Sequence, residues 1–464
     1  MHPASPGVTD FPTDSDGRRS SAALGRAVVA DALRPVDPAA AAAAERETDW
    51  RRGYLRHFRA LVEAGLSADG AAGYEIAEAG LLSLQARMRY VRDDGEFTLA
   101  QALLAEPDRP YDTVEITGSA KPRRELGLVT RLDGWVRAGV IEESCADAVR
   151  EVAANPDWLD LSDLGFALLG AGAEMGPLRW LLGWGATVLA VDLPRPGLWE
   201  RICGVAAGSA GRLLAPLSGG GTPGADLVSD FPKVASWLLG SDRQLVLGNY
   251  GYAPGSAYPK LAAAVDALVV HLRQQRPDTA LAVLATPTDV YAVPAGAVAD
   301  SRARFAARGR PARVTSPLSG GHLLRPNYPL ATTPGINDSL VPQQGPNYAL
   351  AKRVHRWRAT LARRDGVVGF AVAPPARTRS VLSNRLLKAA YAGAHRFGVE
   401  VFDPVVASEL MAVLMVHQIR KPRSADPAAW RDEAVAAAHG GLWRTAYHPR
   451  TALPLAAVRG LFAG

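Results

Sequence analysis

The spacing of apolar residues changes character once along the chain. From about Ala39 to Ala153 they recur every three or four positions, as in Tyr54, Phe58, Leu61 and Val62 or Ile76, Leu81, Leu82 and Leu84, the period of helices that bury one face. The one interruption, Tyr111 to Thr117, alternates as a strand does and predicts a short hairpin or extended arm. After Asn155-Pro156 short β-rich runs begin to alternate with helical stretches. Strands are predicted at Phe166 to Leu169, Thr187 to Val191, Arg212 to Leu217, Gln244 to Leu247, Ala280 to Ala285 and Val367 to Val372. Helices fall at Pro177 to Gly183, Pro232 to Leu239, Tyr258 to Arg273, Tyr348 to Arg363 and Pro404 to Ile419. Pro177, Pro232 and Pro259 sit in first turns, where a missing N–H costs nothing.

That alternation is the signature of right-handed βαβ units. It predicts an α/β fold, a Rossmann-like doubly wound parallel sheet with an added mostly α-helical N-terminal domain. The expected division is a disordered tail over 1–25, a mostly helical domain over 26–155, a Rossmann-type α/β domain over 156–420 and a C-terminal extension over 421–464. The tail is expected because Ser, Pro, Gly, Asp and Thr leave too little apolar surface to offset chain entropy. Within the α/β domain, residues 295–346 are rich in Pro, Gly, Asn and Arg and read as a lid, with His322, Tyr328 and Asn337 punctuating it.

Composition narrows the class. The chain has 464 residues, too many for one ordinary core, and is 48% hydrophobic and 21% charged. Two cysteines, Cys145 and Cys203, make no disulfide framework, so a reducing cytoplasm is the expected compartment. No secretory signal and no membrane-spanning run are read, and the longest apolar region, Leu164 to Leu193, is broken by Glu174 and Arg179. The net charge of +6 is spread among acids without a basic stripe, which speaks against nucleic acid as a partner. No metal site is expected.

Two stretches carry candidate chemistry. Gly170-Ala171-Gly172-Ala173-Glu174-Met175-Gly176 follows a strand and precedes a helix, where glycines let the backbone turn tightly and approach a pyrophosphate. Asp192, at the end of the next strand, stands where a carboxylate accepts hydrogen bonds from ribose hydroxyls and favours NAD, while Arg195 leaves NADP open. Tyr348 and Lys352 lie four apart on a predicted helix and share a face. An ammonium beside a phenol favours the phenolate and is expected to lower the Tyr348 pKa toward working pH.

From about Ser162 to His417 these signals, in this order, resemble the short-chain dehydrogenase/reductase family, as a divergent member with an N-terminal helical extension and a long insertion before its YxxxK helix. The glycine run is similar to the family's TGxxxGxG turn, with Leu169 in place of Thr and Glu174 in place of the middle Gly. Asp226-Leu227 resembles the pair that flanks the adenine, and Gly248-Asn249-Tyr250-Gly251 stands where the family has Asn-Asn-Ala-Gly. Pro374-Pro375-Ala376-Arg377-Thr378 resembles the segment that contacts the nicotinamide end.

The resemblance implies a catalytic set of Tyr348 as acid/base, Lys352 as modulator of its pKa and ligand of the nicotinamide ribose, Thr286 (or Thr288) in place of the family Ser, and Asp266 in place of a relaying Asn. It implies a cofactor set of Gly170, Gly172, Glu174, Met175, Gly176, Asp192, Asp226, Leu227, Asn249, Lys352, Pro374 and Thr378. The expected activity is hydride transfer between NAD or NADP and an alcohol or ketone carbon of a small, fairly apolar substrate, in a homo-oligomer, with a dimer the family's habit. A redox-neutral epimerase or dehydratase, and a protein that senses NAD(P) without turnover, stay open beside it.

Overall fold

The computed structural model of the chain describes residues 7–66, 70–105, 110–329 and 332–462. Its centre is a seven-stranded sheet. The strands are β1 (Asp112–Thr117), β2 (Leu164–Leu169), β3 (Thr187–Val191), β4 (Arg212–Leu217), β5 (Gln244–Asn249), β6 (Ala280–Ala285) and β7 (Val368–Val372). They lie in the order β7-β6-β5-β2-β3-β4-β1. All neighbours are parallel except β1, which runs antiparallel along the edge of β4. Tyr111 to Thr117 is thus a single edge strand rather than a hairpin.

The six parallel strands have the order of doubly wound sheets, in which the winding reverses beside the first strand. The strands are near-continuous apolar runs because both faces are covered, and β2, β3 and β7 are buried throughout. Alternate residues serve different cores. Ala167, Leu169, Leu189 and Val191 face one that includes the helices Ala257–Gln275 and Pro346–Ala362. Phe166, Leu168, Val188 and Ala190 face the other, with the helix Pro404–Arg420.

Four expectations about domains are corrected. Of the tail, residues 1–6 lie outside the described residues, but Val8–Asp10 is a strand paired with Arg89–Arg92, Thr9 and Phe11 are buried, and a helix capped by Ser20 starts at Ser21. The buried side chains of Phe11 and Leu24 supply what its composition hid.

The helices over 21–87 form no separate domain, because Val28, Tyr54, Ile76 and Leu84 belong to the same core as strands β2 and β3. Helix Ala72–Arg87 lies so close to Pro346–Ala362 that a Cβ on Gly80 would meet the Trp357 ring at 2.5 Å. Further on, the helix Glu143–Ala154 packs on the opposite face of the sheet.

The insertion 295–346 is not an irregular lid. It contains the helices Ala295–Ala306 and Arg310–Leu318 and a strand, Gly335–Asp338, returning to pair with Val290–Val293. Its Asn327, Tyr328 and Asn337 are buried and bonded to main-chain carbonyls of the C-terminal segment, whose Trp443 is fully enclosed. That segment is therefore part of the fold rather than an appendage. Among the described residues, no helix is long and apolar enough to cross a membrane.

Candidate functional site

Parallel pairing brings the C-terminal ends of the strands level, with Leu169 opposite both Val191 and Asn249. The glycine turn, Asp192 and the Asn249 loop therefore meet where the winding reverses, outside the strand ends. Gly170 adopts φ +83°, and a Cβ there would stand 2.5 Å from the Gly251 nitrogen, so only glycine lets the loops after β2 and β5 touch. Gly172 donates its N–H to Asp192 Oδ2 at 2.8 Å, and Leu193 donates to Oδ1 at 2.8 Å. Asp192 thus clasps the turn with both oxygens. Burial raises its pKa, and these amides and Arg195 oppose the rise.

Other expected cofactor residues divide. The space a Cβ on Gly172 would need is taken by Leu198, whose Cδ1 would be 2.4 Å away. Glu174 is drawn across to the segment after β7: its carboxylate accepts from the Arg379 main-chain N–H and from Arg379 Nε, each at 2.8 Å. Met175 is half-buried against the face that holds Tyr250 and Met415, and Gly176 is buried.

Asp226 accepts the Val228 N–H at 2.9 Å, capping its own turn, while Leu227 is a core residue. The Asp226 loop still reaches the strand end, since Ala225 N–H bonds the Asp192 carbonyl at 2.9 Å. Pro374 is buried behind β7, and the Thr378 hydroxyl lies 3.0 Å from that of Ser380.

The catalytic candidates come together more closely. Tyr348 and Lys352 project from one helix face, with Lys352 Nζ 6.0 Å from the Tyr348 ring centroid. Thr286 lies near enough to the Tyr348 hydroxyl to favour its phenolate. Thr286 Oγ1 in turn lies 3.0 Å from Thr288 Oγ1, which receives Gln344 Nε2 at 2.9 Å. Both threonines are therefore at the site.

The expected lowering of the Tyr348 pKa is corrected. Burial pushes it up to about 12, and the pull of Lys352 and Thr286 only partly offsets that. Asp266 is also corrected as a relay: its carboxylate is held by Arg358 at 2.6 and 3.1 Å and by Gln85 at 2.7 Å. It anchors an N-terminal helix instead.

Three residues join the site that the sequence reading passed over. His355 continues the Tyr348–Lys352 face by one more turn and meets Asn249 Nδ2 at 2.8 Å. Since Asn249 Oδ1 accepts the Gly251 N–H at 3.1 Å, its amide donates to His355 Nε2, which fixes a neutral imidazole. Burial first, and then Lys352, lower the His355 pKa to about 3, in accord with that tautomer.

Tyr258 packs on Tyr348 with ring centroids 5.6 Å apart, and its buried hydroxyl has no hydrogen-bond partner among the described residues. Tyr391 lines an apolar slot of about 80 Å³ whose walls include Thr288. The 348, 352, 355 spacing was available as a helical stripe; Tyr258 and Tyr391 had no signal beyond residue type.

The loop carrying both threonines is tied to this helix by buried charge. Asp289 receives Arg353 at 3.0 Å and Arg356 at 2.6 Å, and Arg356 continues to Glu433 at 2.6 Å. Hydroxyls poised at one point, beside an ammonium with no acidic partner among the described residues, suit proton delivery to an oxygen of a bound molecule. Compared with protein-family models and with curated proteins, the chain finds no match.

Proposed function

We propose that the protein is an NAD(P)-dependent oxidoreductase of the short-chain dehydrogenase/reductase kind, acting on an alcohol or ketone attached to an uncharged, apolar body. The observation that carries this reading is the convergence of Tyr348, Thr286 and Lys352 beside the buried, unpartnered Tyr258 hydroxyl. The fit of a dinucleotide rests on the Gly170 turn at the reversal of strand order, on Asp192 behind it and on Lys352 free to meet a ribose. When bound, the nicotinamide supplies or accepts the hydride.

The chain's own residues manage the oxygen and its proton. Thr286 and Thr288 donate hydrogen bonds to the substrate oxygen and orient it. Tyr348 delivers the proton there in reduction and removes it in oxidation. A phenol whose pKa lies near 12 is held protonated, so it serves first as an acid; Lys352 stabilises the phenolate left behind. His355 and Asn249 lock the helix to the β5 loop. The slot beyond Thr288 has no charged side chain in its lining, and Val401, Leu442 and Leu453 give it hydrocarbon walls.

A second reading, a protein that responds to the dinucleotide without turning over, is favoured by Glu174, which sets a carboxylate on the turn where a pyrophosphate would approach. Tyr348→Phe separates the two. Thermal stabilisation by NADH or NADPH is expected in both proteins, whereas turnover of a panel of aliphatic and aromatic ketones, followed by nicotinamide absorbance, should fall by roughly 10²- to 10⁴-fold in the variant. Absence of any stabilisation by either dinucleotide would overturn the cofactor assignment, and unchanged turnover would remove Tyr348 from its role.

A further inference from the structure

The expectation of cations spread among acids is corrected, because charge is distributed very unevenly over this chain. Three segments hold six arginines (301–337), four arginines with Lys388 (366–399) and three arginines (434–464), and not one Asp or Glu. The net charge of the whole is only +6, so the remaining sequence is acidic on balance.

The fold gathers the three segments into one cap. The bridge between Pro326 and Tyr447 and the hydrogen bond from Arg325 N–H to Thr451 join the first to the third. Ring contacts of Tyr447 with Phe305 and Phe397 add the second. The helices Arg385–Gly393 and Pro449–Leu461 then pack so tightly that a Cβ on Gly460 would stand 1.8 Å from the Ala389 carbonyl oxygen.

The same cap is where the molecule leaves large apolar side chains in solvent. Among the described residues, seven of the thirteen exposed large hydrophobics are in these segments: Val314 and Leu318, Leu382 and Leu386, and Val458, Leu461 and Phe462. Leu461 and Phe462 are 71% and 84% exposed. No residue of helix Arg310–Leu318 is buried. Val458 and Leu461 extend an outer stripe of their helix while Ala452, Ala456 and Ala457 face inward. Among the described residues Arg310, Arg313, Arg385, Lys388, Arg396 and Arg459 meet no carboxylate, although acids elsewhere in the protein are routinely paired.

We propose that this cap docks on an anionic lipid surface, its basic side chains on the headgroups and its exposed leucines and phenylalanine in the interfacial region. Arg379, Arg444 and Arg450 are paired with Glu174, with Glu142 and Asp300, and with Asp338, but exposed apolar residues among the six unpaired cations are complementary to such a surface. A nucleic acid would be met by the charge but not by seven bare aliphatic and aromatic groups. The helices that dock are also the outer wall of the apolar slot, through Tyr391 and Leu453. A membrane-dissolved molecule would thus reach the slot beside Thr288 without crossing water. The docking itself does not depend on the oxidoreductase reading.

The test is flotation of the full chain with vesicles of phosphatidylcholine alone or with about one-third phosphatidylglycerol. Binding to the anionic vesicles should exceed that to the neutral ones by at least about tenfold and should weaken strongly between about 0.1 and 0.5 M salt. Each basic side chain near such a surface is worth about fivefold, so Arg385→Glu with Lys388→Glu should cost more than about 25-fold. Leu386→Ser with Leu461→Ser should also reduce binding, with unfolding temperatures unchanged because these side chains are exposed. Equal binding to both vesicles, no binding to either, or indifference to the charge reversals would overturn the proposal. So would capture of duplex DNA by a protein that ignores the vesicles.

Discussion

Replacing Asp289 by Asn keeps the volume of the side chain and removes its charge from a cluster that water does not reach. Asp289, Arg353 and Arg356 are each under 5% exposed, and the cluster of two guanidiniums with Asp289 and Glu433 is neutral as it stands. Without Asp289 one buried positive charge is left unmatched, a change that costs about 3–5 kcal/mol where single partners of buried pairs are removed. Unfolding entropy of about 2.1 cal/mol/K per residue gives about 1 kcal/mol/K for a chain of this length, so the midpoint should fall by about 3–5 °C in a single cooperative transition.

Calorimetry at neutral pH measures this directly, and the pH dependence supplies a second check. Burial alone would raise the Asp289 pKa, but Arg353 and Arg356 hold it below the usual carboxylate value. A lowered folded-state pKa stabilises fully above the unfolded value of about 3.9 and is lost as pH falls through the folded one. The gap between wild type and variant should therefore narrow below about pH 4. A shift under about 1 °C, or a gap independent of pH in that range, would refute the view that this network holds the threonine loop to the Tyr348 helix.

Glu174→Gln should tighten dinucleotide binding severalfold at low salt, because it removes a negative charge from the turn; weaker binding in a fluorescence titration would place the pyrophosphate elsewhere. Glu142 is buried, which opposes ionisation, yet His439 and Arg444 hold its pKa down at about 2. Its contribution is present above the unfolded value and lost as pH falls through the folded one, so acid unfolding monitored by tryptophan fluorescence should show a loss between about pH 4.5 and 2 that Glu142→Gln lacks. Cys145 is fully buried with its thiol pKa pushed up by burial, and Cys203 is only half-buried. Iodoacetamide followed by mass spectrometry should label Cys203 in the native protein and Cys145 only after unfolding; rapid native labelling of Cys145 would contradict its enclosure.

The alternation of β-rich and helical runs after Asn155 was enough to foresee a mostly parallel sheet, because strands covered on both faces must be apolar throughout and so stand out from amphipathic helices. All six predicted parallel strands match those observed to within two residues at their ends, and three of them coincide. The glycine turn and the Tyr348–Lys352 stripe were legible for the same local reason: tight turns and helical periodicity are properties of a few consecutive residues.

What tertiary structure decided is whatever depends on partners distant in sequence. Asp266 looked like a member of the site until Arg358 and Gln85 claimed its carboxylate. Asp289 carries no local signal, and its role comes from the two arginines of another element that enclose it. The Tyr348 pKa follows the same rule, since the ammonium that lowers it is four residues away in sequence, while the burial that raises it is assembled from distant segments around it. Local spacing therefore specifies which groups share a surface, but desolvation and charge pairing, which set what those groups do, belong to the packed whole.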